Sequence, residues 1–375
     1  MKIVLAGGGS GGHFYPLIAV AEELRVFAQE KNILHLELYY MAPSKYDEKA
    51  LFDNQITFVS VPAGKIRRYF SLENFLDIFK TFFGFFIALF KLFNIYPDAI
   101  FSKGGYPAVP VVFAAKILRI PVIVHESDTV PGRANKLTSR FATRIAISFP
   151  EAFKYFKKEK TALVGHLVRK EVQKPIYEGS DEYLKLNPVL PTIFIIGGSQ
   201  GAKLINETIL SLLPELVKKY QIIHQTGTGN FEEVSSNANV ILEKSNDRDN
   251  YRPYAYFNPL ALRMCAGASD MIISRSGASS IAEIAWWALP AILIPITDSN
   301  GNHQRENAFS YASTGAASVI EEKNLSPRVL IQEIDRIIEN KNLQESMKKA
   351  TELSRYEHSA RDIAGELLEI GFKHE

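Results

Sequence analysis

The sequence predicts an α/β chain of two Rossmann-like domains, and three observations predict it. A short apolar run, Lys2–Ala6, ends in Gly7-Gly8-Gly9-Ser10-Gly11-Gly12-His13, after which Leu17, Val20, Ala21 and Leu24 recur at helical spacing. The same opening returns at Thr192–Ile196, which runs into Gly197-Gly198-Ser199-Gln200-Gly201 and then Ile205, Ile209 and Leu212. A length of 375 residues also fits two domains of ~100–200 residues each.

Taken in order, residues 34–41 and 56–61 read as strands after the first helix. Residues 98–102 form another, closed by Gly104-Gly105-Tyr106-Pro107 and followed by a helix over Ala108–Ile117. Residues 121–125 are a strand again, leading into a loop at 126–132. Strands alternating with helices predict a parallel sheet. In the second half, Gln221–Gln225, Met271–Ser274 and residues 291–295 supply later strands. The expected domains are 1–163 and 164–354, with a last helix at about 355–375 packing back on the first.

Composition excludes several classes. Hydrophobic residues at 46% and charged residues at 22% are those of a soluble globular protein, not of a disordered, collagenous or coiled-coil chain. A net charge of +2 is too mild to indicate a nucleic-acid partner, and none is expected. The single Cys265 excludes an intramolecular disulfide and a cysteine-based zinc site, so a reducing compartment is expected. The N-terminus runs straight into glycines without the apolar length of a signal peptide, which predicts a cytoplasmic chain.

Gly7-x-Gly9-x-x-Gly12 raises three readings: a dinucleotide turn, a plain structural turn, or a site for another phosphate or sugar ligand. Glycines let the backbone approach a diphosphate, and a following helix offers free N–H groups. Against the dinucleotide reading, the next strand carries Glu37 in its middle, not a carboxylate at its end. The turns at Gly104-Gly105 and Gly197-Gly198 sit at strand C-terminal ends like the first, where open α/β sheets bind ligands. Ser274-Arg275-Ser276-Gly277-Ala278-Ser279-Ser280-Ile281-Ala282-Glu283 is strand, turn and helix start once more. Either Ser279 or Ser280 caps that helix, with Glu283 closing a capping box from Ser280, or Glu283 accepts the diol of a ribose. Asn302-His303-Gln304-Arg305-Glu306-Asn307 is a dense polar group, readable as a solvated loop or as ligand contacts.

Together these segments, with His125-Glu126-x-x-x-Val130-Pro131-Gly132 and His224-Gln225-Thr226-Gly227, resemble the MurG family of bacterial peptidoglycan synthesis along nearly the whole chain. The resemblance implies the GT-B architecture, with the active site in the cleft between the domains. It also implies an inverting transfer of N-acetylglucosamine from UDP-N-acetylglucosamine to an undecaprenyl-diphosphate-linked acceptor, without metal or other cofactor. Ser10, Gly11 and Gly12 then match the first glycine loop, and Gly9, Gly104, Gly105 and Tyr106 become candidates for the acceptor diphosphate. Arg169 and Ser199 match residues beside the donor diphosphate. Ala278, Ser279, Ser280, Ile281, Ala282 and Glu283 match the segment holding diphosphate and ribose, Gln304 a donor-sugar contact, and Phe257 the region of a main-chain contact to uracil.

Two departures stand out: His125-Glu126-Ser127-Asp128 replaces the family's His-Glu-Gln-Asn, and Gly165-His166-Leu167-Val168-Arg169 replaces Gly-Asn-Pro-Val-Arg. Asp128 thus stands in the donor site as a carboxylate where the family has an amide. His13 is a candidate general base, because neutral imidazole takes a proton near neutral pH, with Glu126 and His125 as rivals.

Nine of the 24 Phe lie between Phe70 and Phe93. Phe75, Phe79, Phe82, Phe83, Phe86 and Phe90 are flanked or interrupted by Lys65, Arg67, Arg68, Lys80 and Lys91. The uncharged run from Thr81 to Phe90 is half the ~20 residues of a spanning helix. The segment reads either as a core helix or as one lying in an anionic membrane interface. Peripheral attachment at the cytoplasmic face of the bacterial inner membrane is the expectation. Alternatives are a lipid glycosyltransferase using another UDP-sugar, a non-catalytic membrane-binding scaffold, and a nicotinamide oxidoreductase.

Overall fold

Thirteen strands in two parallel sheets organise the residues described by the computed structural model: 1–65, 72–198, 201–297 and 302–374. Ser199, Arg67 and Arg68 lie outside them. The chain divides into two units, Met1–Arg169 with Tyr356–Glu375, and Lys170–Arg355.

The first sheet comprises β1 (Lys2–Ala6), β2 (Glu37–Ala42), β3 (Ile56–Ser60), β4 (Ala99–Ser102), β5 (Val122–Glu126), β6 (Arg144–Ile147) and β7 (Thr161–Leu163). Its order is β3-β2-β1-β4-β5-β6-β7. Strand order reverses between β1 and β4, which leaves a crevice beyond their C-terminal ends. Ile3, Leu5 and Phe101 face one core with Phe14, Leu17 and Leu24 of the helix Gly11–Glu30. Val4, Ile100 and Val124 face the other core, under the helix Ala108–Ile117.

The second sheet comprises β8 (Thr192–Ile196), β9 (Gln221–Gln225), β10 (Tyr251–Tyr254), β11 (Met271–Ser274), β12 (Ala291–Leu293) and β13 (Ala317–Val319). Its order, β10-β9-β8-β11-β12-β13, repeats that plan with the reversal between β8 and β11. Pro253 is tolerated in β10 because that strand pairs with β9 alone, at the sheet edge.

Three expectations shift. The strand expected from residue 34 starts at Glu37, because Leu34 is 90% exposed and contributes nothing to the core. The expected boundary after residue 163 falls after Arg169, since Leu167 is buried in the first core and Arg169 stacks on Tyr15. The last helix runs Ser359–Phe372 and sets Ile363, Leu367 and Leu368 against the helix Gly11–Glu30, with Arg361 paired to Glu30 at 2.7 Å.

Candidate functional site

In the first unit two glycine turns meet at the ends of β1 and β4. Gly9 (φ +82°) and Gly105 (φ +75°) take left-handed backbone that disfavours other residues. A Cβ on Gly105 would stand 3.1 Å from the Gly8 carbonyl and 3.4 Å from the His13 ring, and one on Gly9 would stand 2.9 Å from the Tyr106 ring. Gly9, Gly104, Gly105 and Tyr106 therefore sit together. Ser10 is the N-cap of the helix that begins at Gly11 and Gly12, but its hydroxyl makes no capping bond and lies 2.8 Å from His13 Nδ1 instead.

The three candidate bases have different surroundings. His13 is half-buried. His125 is fully buried, with Nε2 3.1 Å from the Gly165 carbonyl and 3.2 Å from Ser148 Oγ. Burial, then the Lys103 charge, holds its imidazole well below the usual range, so it stays neutral. Glu126 is also buried, and its oxygens accept from Asp128 N (2.9 Å), Gly132 N (3.1 Å) and Asn135 Nδ2 (3.0 Å). Burial and the Asp128 charge push its carboxyl upward. This geometry makes His125 and Glu126 supports of the turn after β5, and leaves His13 as the candidate that solvent reaches.

Two residues of this region escaped the sequence reading. Lys103, at the end of β4, is 2% exposed and donates from Nζ to Ser127 Oγ at 2.9 Å. Tyr15 lies under the Arg169 guanidinium, 3.7 Å from ring centroid to Cζ, so Arg169 belongs to the unit of the first glycine turn. Asp128 is half-buried beside Lys103. His166 packs edge-on against Phe149, and its imidazole is pushed down to about 4 by burial, then by Lys103.

In the second unit the helix Ala278–Trp287 follows β11. Its N-cap is Gly277, not Ser279 or Ser280, and no side chain caps it. The capping box is thereby overturned: Ser279 and Ser280 already lie inside the first turn, too far along for a cap. That turn keeps amides without intrahelical acceptors, beside an exposed Ser279 and a half-buried Ser280. Ile281 and Ala282 anchor the helix in the core, and Glu283 is half-buried one turn in.

The neighbouring loops are tied down. Ser276 Oγ donates to the Gln304 carbonyl at 2.8 Å, and Gln304 Oε1 accepts from Ile296 N at 3.2 Å. Arg275 pairs with Glu322 at 2.7 Å, and Glu322 accepts from Thr297 N at 2.8 Å. Phe257 is buried, and its N–H donates to Gln225 Oε1 at 3.2 Å. Among the described residues, no group of three or more His, Cys, Asp or Glu could hold a metal.

The Phe-rich segment is the helix Leu72–Ile95. Ala88 and Leu92 are buried in the core, whereas Phe75, Phe79, Phe82, Phe83, Phe86 and Phe90 are exposed by 46–64%. The core-helix alternative fails on that exposure. Gly84 lies against the Pro62 carbonyl, and Lys80 pairs with Asp77 at 3.3 Å. Within this helix, Phe75–Ile95 is long and apolar enough to cross a membrane, with 17% of its most apolar window buried. Because it connects β3 and β4 of one sheet and packs along the helix Ala108–Ile117, it lies against the domain.

Residues 3–147 match the glycosyltransferase family 28 N-terminal domain, and residues 192–367 match its C-terminal domain. A Bacillus cereus protein named UDP-N-acetylglucosamine–N-acetylmuramyl-(pentapeptide) pyrophosphoryl-undecaprenol N-acetylglucosamine transferase 2 is 37% identical over 93% of this chain and 94% of its own. A Clostridium kluyveri transferase so named, without the numeral, is 36% identical over 93% and 95%. The crystal structure of Acinetobacter baumannii MurG matches at TM-score 0.74 and 24% identity, covering 98% of this chain and 99% of that one. The architecture is GT-B, and the chain is a glycosyltransferase of family 28 and a member of the MurG family.

Proposed function

We propose that the chain transfers N-acetylglucosamine from UDP-N-acetylglucosamine to the 4-hydroxyl of undecaprenyl-diphosphate-linked N-acetylmuramyl-pentapeptide, with inversion. The observation that carries this reading is the 36–37% identity, along 93% of the chain, to transferases named for that reaction. The acceptor oxygen attacks the anomeric carbon, the bond from that carbon to the UDP oxygen breaks, and the hydroxyl proton passes to a base. His13 takes that role, as the solvent-reached imidazole beside both glycine turns. Gly9, Gly104, Gly105 and Tyr106 receive the acceptor diphosphate.

The leaving diphosphate needs positive potential. First-turn amides of the helix Ala278–Trp287 and the Ser279 and Ser280 hydroxyls supply it, while Glu283 accepts the ribose diol and Gln304 contacts the donor sugar. With these groups no metal is required, and activity is expected to persist in EDTA.

Attachment to the cytoplasmic face of the membrane is peripheral. The helix Leu72–Ile95 lies in the interface with its Phe face in lipid and Lys65 and Lys80 near anionic headgroups. Transfer of radiolabelled sugar onto the lipid-linked acceptor tests the reaction. Label in a lipid-linked disaccharide is expected from UDP-N-acetylglucosamine. Label only from another UDP-sugar would replace the donor, and none from any donor would leave a binding scaffold.

A further inference from the structure

We propose that Glu322 is a positioning residue for donor binding in the second unit: with Arg275 on one oxygen and Thr297 on the other, it fixes the chain after β12 against the turn that opens the helix Ala278–Trp287. The inference rests on the transferase reading, which seats the donor diphosphate at that helix, and deepens it.

Burial makes the two charges depend on each other. Arg275 is 9% exposed, and its Nη1 lies 2.7 Å from Glu322 Oε1 and donates to the Ile294 carbonyl at 3.0 Å. Its Nε is buried with no hydrogen-bond partner among the described residues, so the guanidinium leans on Glu322. Removing one member of a buried pair strands the other, whereas replacing both by apolar groups is often neutral to stability. The second oxygen of Glu322 does different work: Oε2 accepts from Thr297 N at 2.8 Å and from Thr297 Oγ1 at 2.7 Å. One carboxylate thus answers a cation and grips a backbone amide.

The three residues come from the ends of three neighbouring strands. Arg275 follows β11, Thr297 comes after β12, and Glu322 opens the single turn Glu322–Asn324 after the edge strand β13. Between Arg275 and the N-cap Gly277 stands Ser276, whose Oγ donates to the Gln304 carbonyl at 2.8 Å and whose carbonyl accepts from Asn307 Nδ2 at 3.4 Å. Gln304 Oε1 accepts from Ile296 N at 3.2 Å. The start of the helix His303–Ala312, the Ile296–Thr297 stretch and the turn before Gly277 are therefore cross-linked. The neighbouring Glu321 pairs with Arg305 at 3.1 Å, but that arginine is 42% exposed and the pair holds little. Glu322 supplies the buried tie. Groups held in place before a ligand arrives spare it the entropic cost of ordering them.

Isothermal titration of the full-length chain with UDP, with thermal melting on the same samples, tests this on Glu322→Met, Thr297→Val and the double variant Arg275→Met/Glu322→Met. Glu322→Met strands the guanidinium and should lower both melting temperature and UDP affinity. The double variant removes both charges, so its melting temperature should return toward wild type. Its UDP affinity should stay down about tenfold, the weight of one charged hydrogen bond, because Thr297 remains untied. Thr297→Val keeps the ion pair and should weaken UDP at least about threefold at unchanged melting temperature. UDP affinity that returns together with melting temperature in the double variant would assign Glu322 to stability and overturn the proposal. Should the double variant fail to fold or to regain stability, Thr297→Val decides: weaker UDP binding supports the proposal, and wild-type affinity overturns it. A wild-type chain that does not bind UDP would overturn the transferase reading, and this inference with it. UDP bound equally well by wild type and the double variant overturns this inference alone.

Discussion

At the ends of β4 and β5 the first unit buries an ammonium, a carboxyl and an imidazole within the short segments around Lys103, Glu126 and His125. The matching end of β11 in the second unit offers serine hydroxyls and backbone amides. Its ion pair, Arg275–Glu322, reaches away to the segment after β13. One sheet thus carries charge inside its C-terminal edge, and the other presents dipoles there. Fixed dipoles suit binding of a diphosphate that arrives and leaves with its charge. Buried charges of both signs suit a place where a proton moves.

That contrast breaks most visibly at His13. His13→Ala should lower kcat by ~10²–10⁴-fold, the range for loss of a general base, with donor KM little changed. Steady-state transfer assays check it. A variant whose kcat is kept while donor KM rises would move His13 from chemistry to binding.

The units also differ on their outer surfaces. Phe82, Phe83 and Phe86 are exposed on the first. Each Phe withdrawn from water contributes on the order of 1.5–3 kcal/mol. Replacing all three with Ser should reduce sedimentation with anionic vesicles by about 100-fold or more while the melting temperature holds. Salt alone should weaken binding without abolishing it. A large fall in melting temperature with unchanged sedimentation would return these rings to a packing role.

How much of this was legible in the sequence depended on the range of the interaction. The glycine turns were, because positive φ and close approach at Gly9 and Gly105 leave few other residues usable. The helix Ala108–Ile117 was, from its apolar content behind a proline. The start of the helix after β11 stayed open between two readings, because two serines imitate a cap while Gly277 occupies that position. Lys103 carries no local signal of burial. Only the pairing of β4 with β5 brings Ser127 to its ammonium. Arg275 and Glu322 are remote in sequence, and no local pattern announces their contact.

In the second unit, Glu283→Ala tests whether dipoles and one carboxylate suffice to hold the donor. Losing a charged acceptor costs ~1.5–3 kcal/mol, so donor affinity should fall about ten- to a hundredfold. Melting temperature should stay near wild type, because Gly277 is the N-cap and Glu283 lies beyond the first turn of the helix. Normal binding of UDP by a variant that melts early would assign Glu283 to stability.

The smallest effect distinguishes the two units through their buried imidazoles. His224 lies between Tyr251 Oη at 2.9 Å and Asn206 Oδ1 at 3.0 Å, and burial pushes it down to about 3. In the unfolded chain it titrates near 6.5, so below that pH the unfolded state binds a proton that the folded state refuses. Stability from His224 is therefore full above about 6.5 and is lost as pH falls toward about 3. His125 and His166 act in the same direction in the first unit. There Glu126 opposes them: its raised carboxyl holds a proton in the fold that the unfolded chain has released, so stability is gained as pH falls through its folded value. The first unit, with two such imidazoles against one carboxyl, should consequently carry an acid slope at least as steep as that of the second, where His224 acts alone. Melting temperature is expected to fall by ~2–4 °C per pH unit below about 6. His224→Gln, which keeps a donor toward Asn206, should melt lower at pH 8 but with a shallower fall. Calorimetric scans from pH 8 to pH 5 check this, and parallel curves for the two proteins would remove His224 from the groups that carry the acid slope.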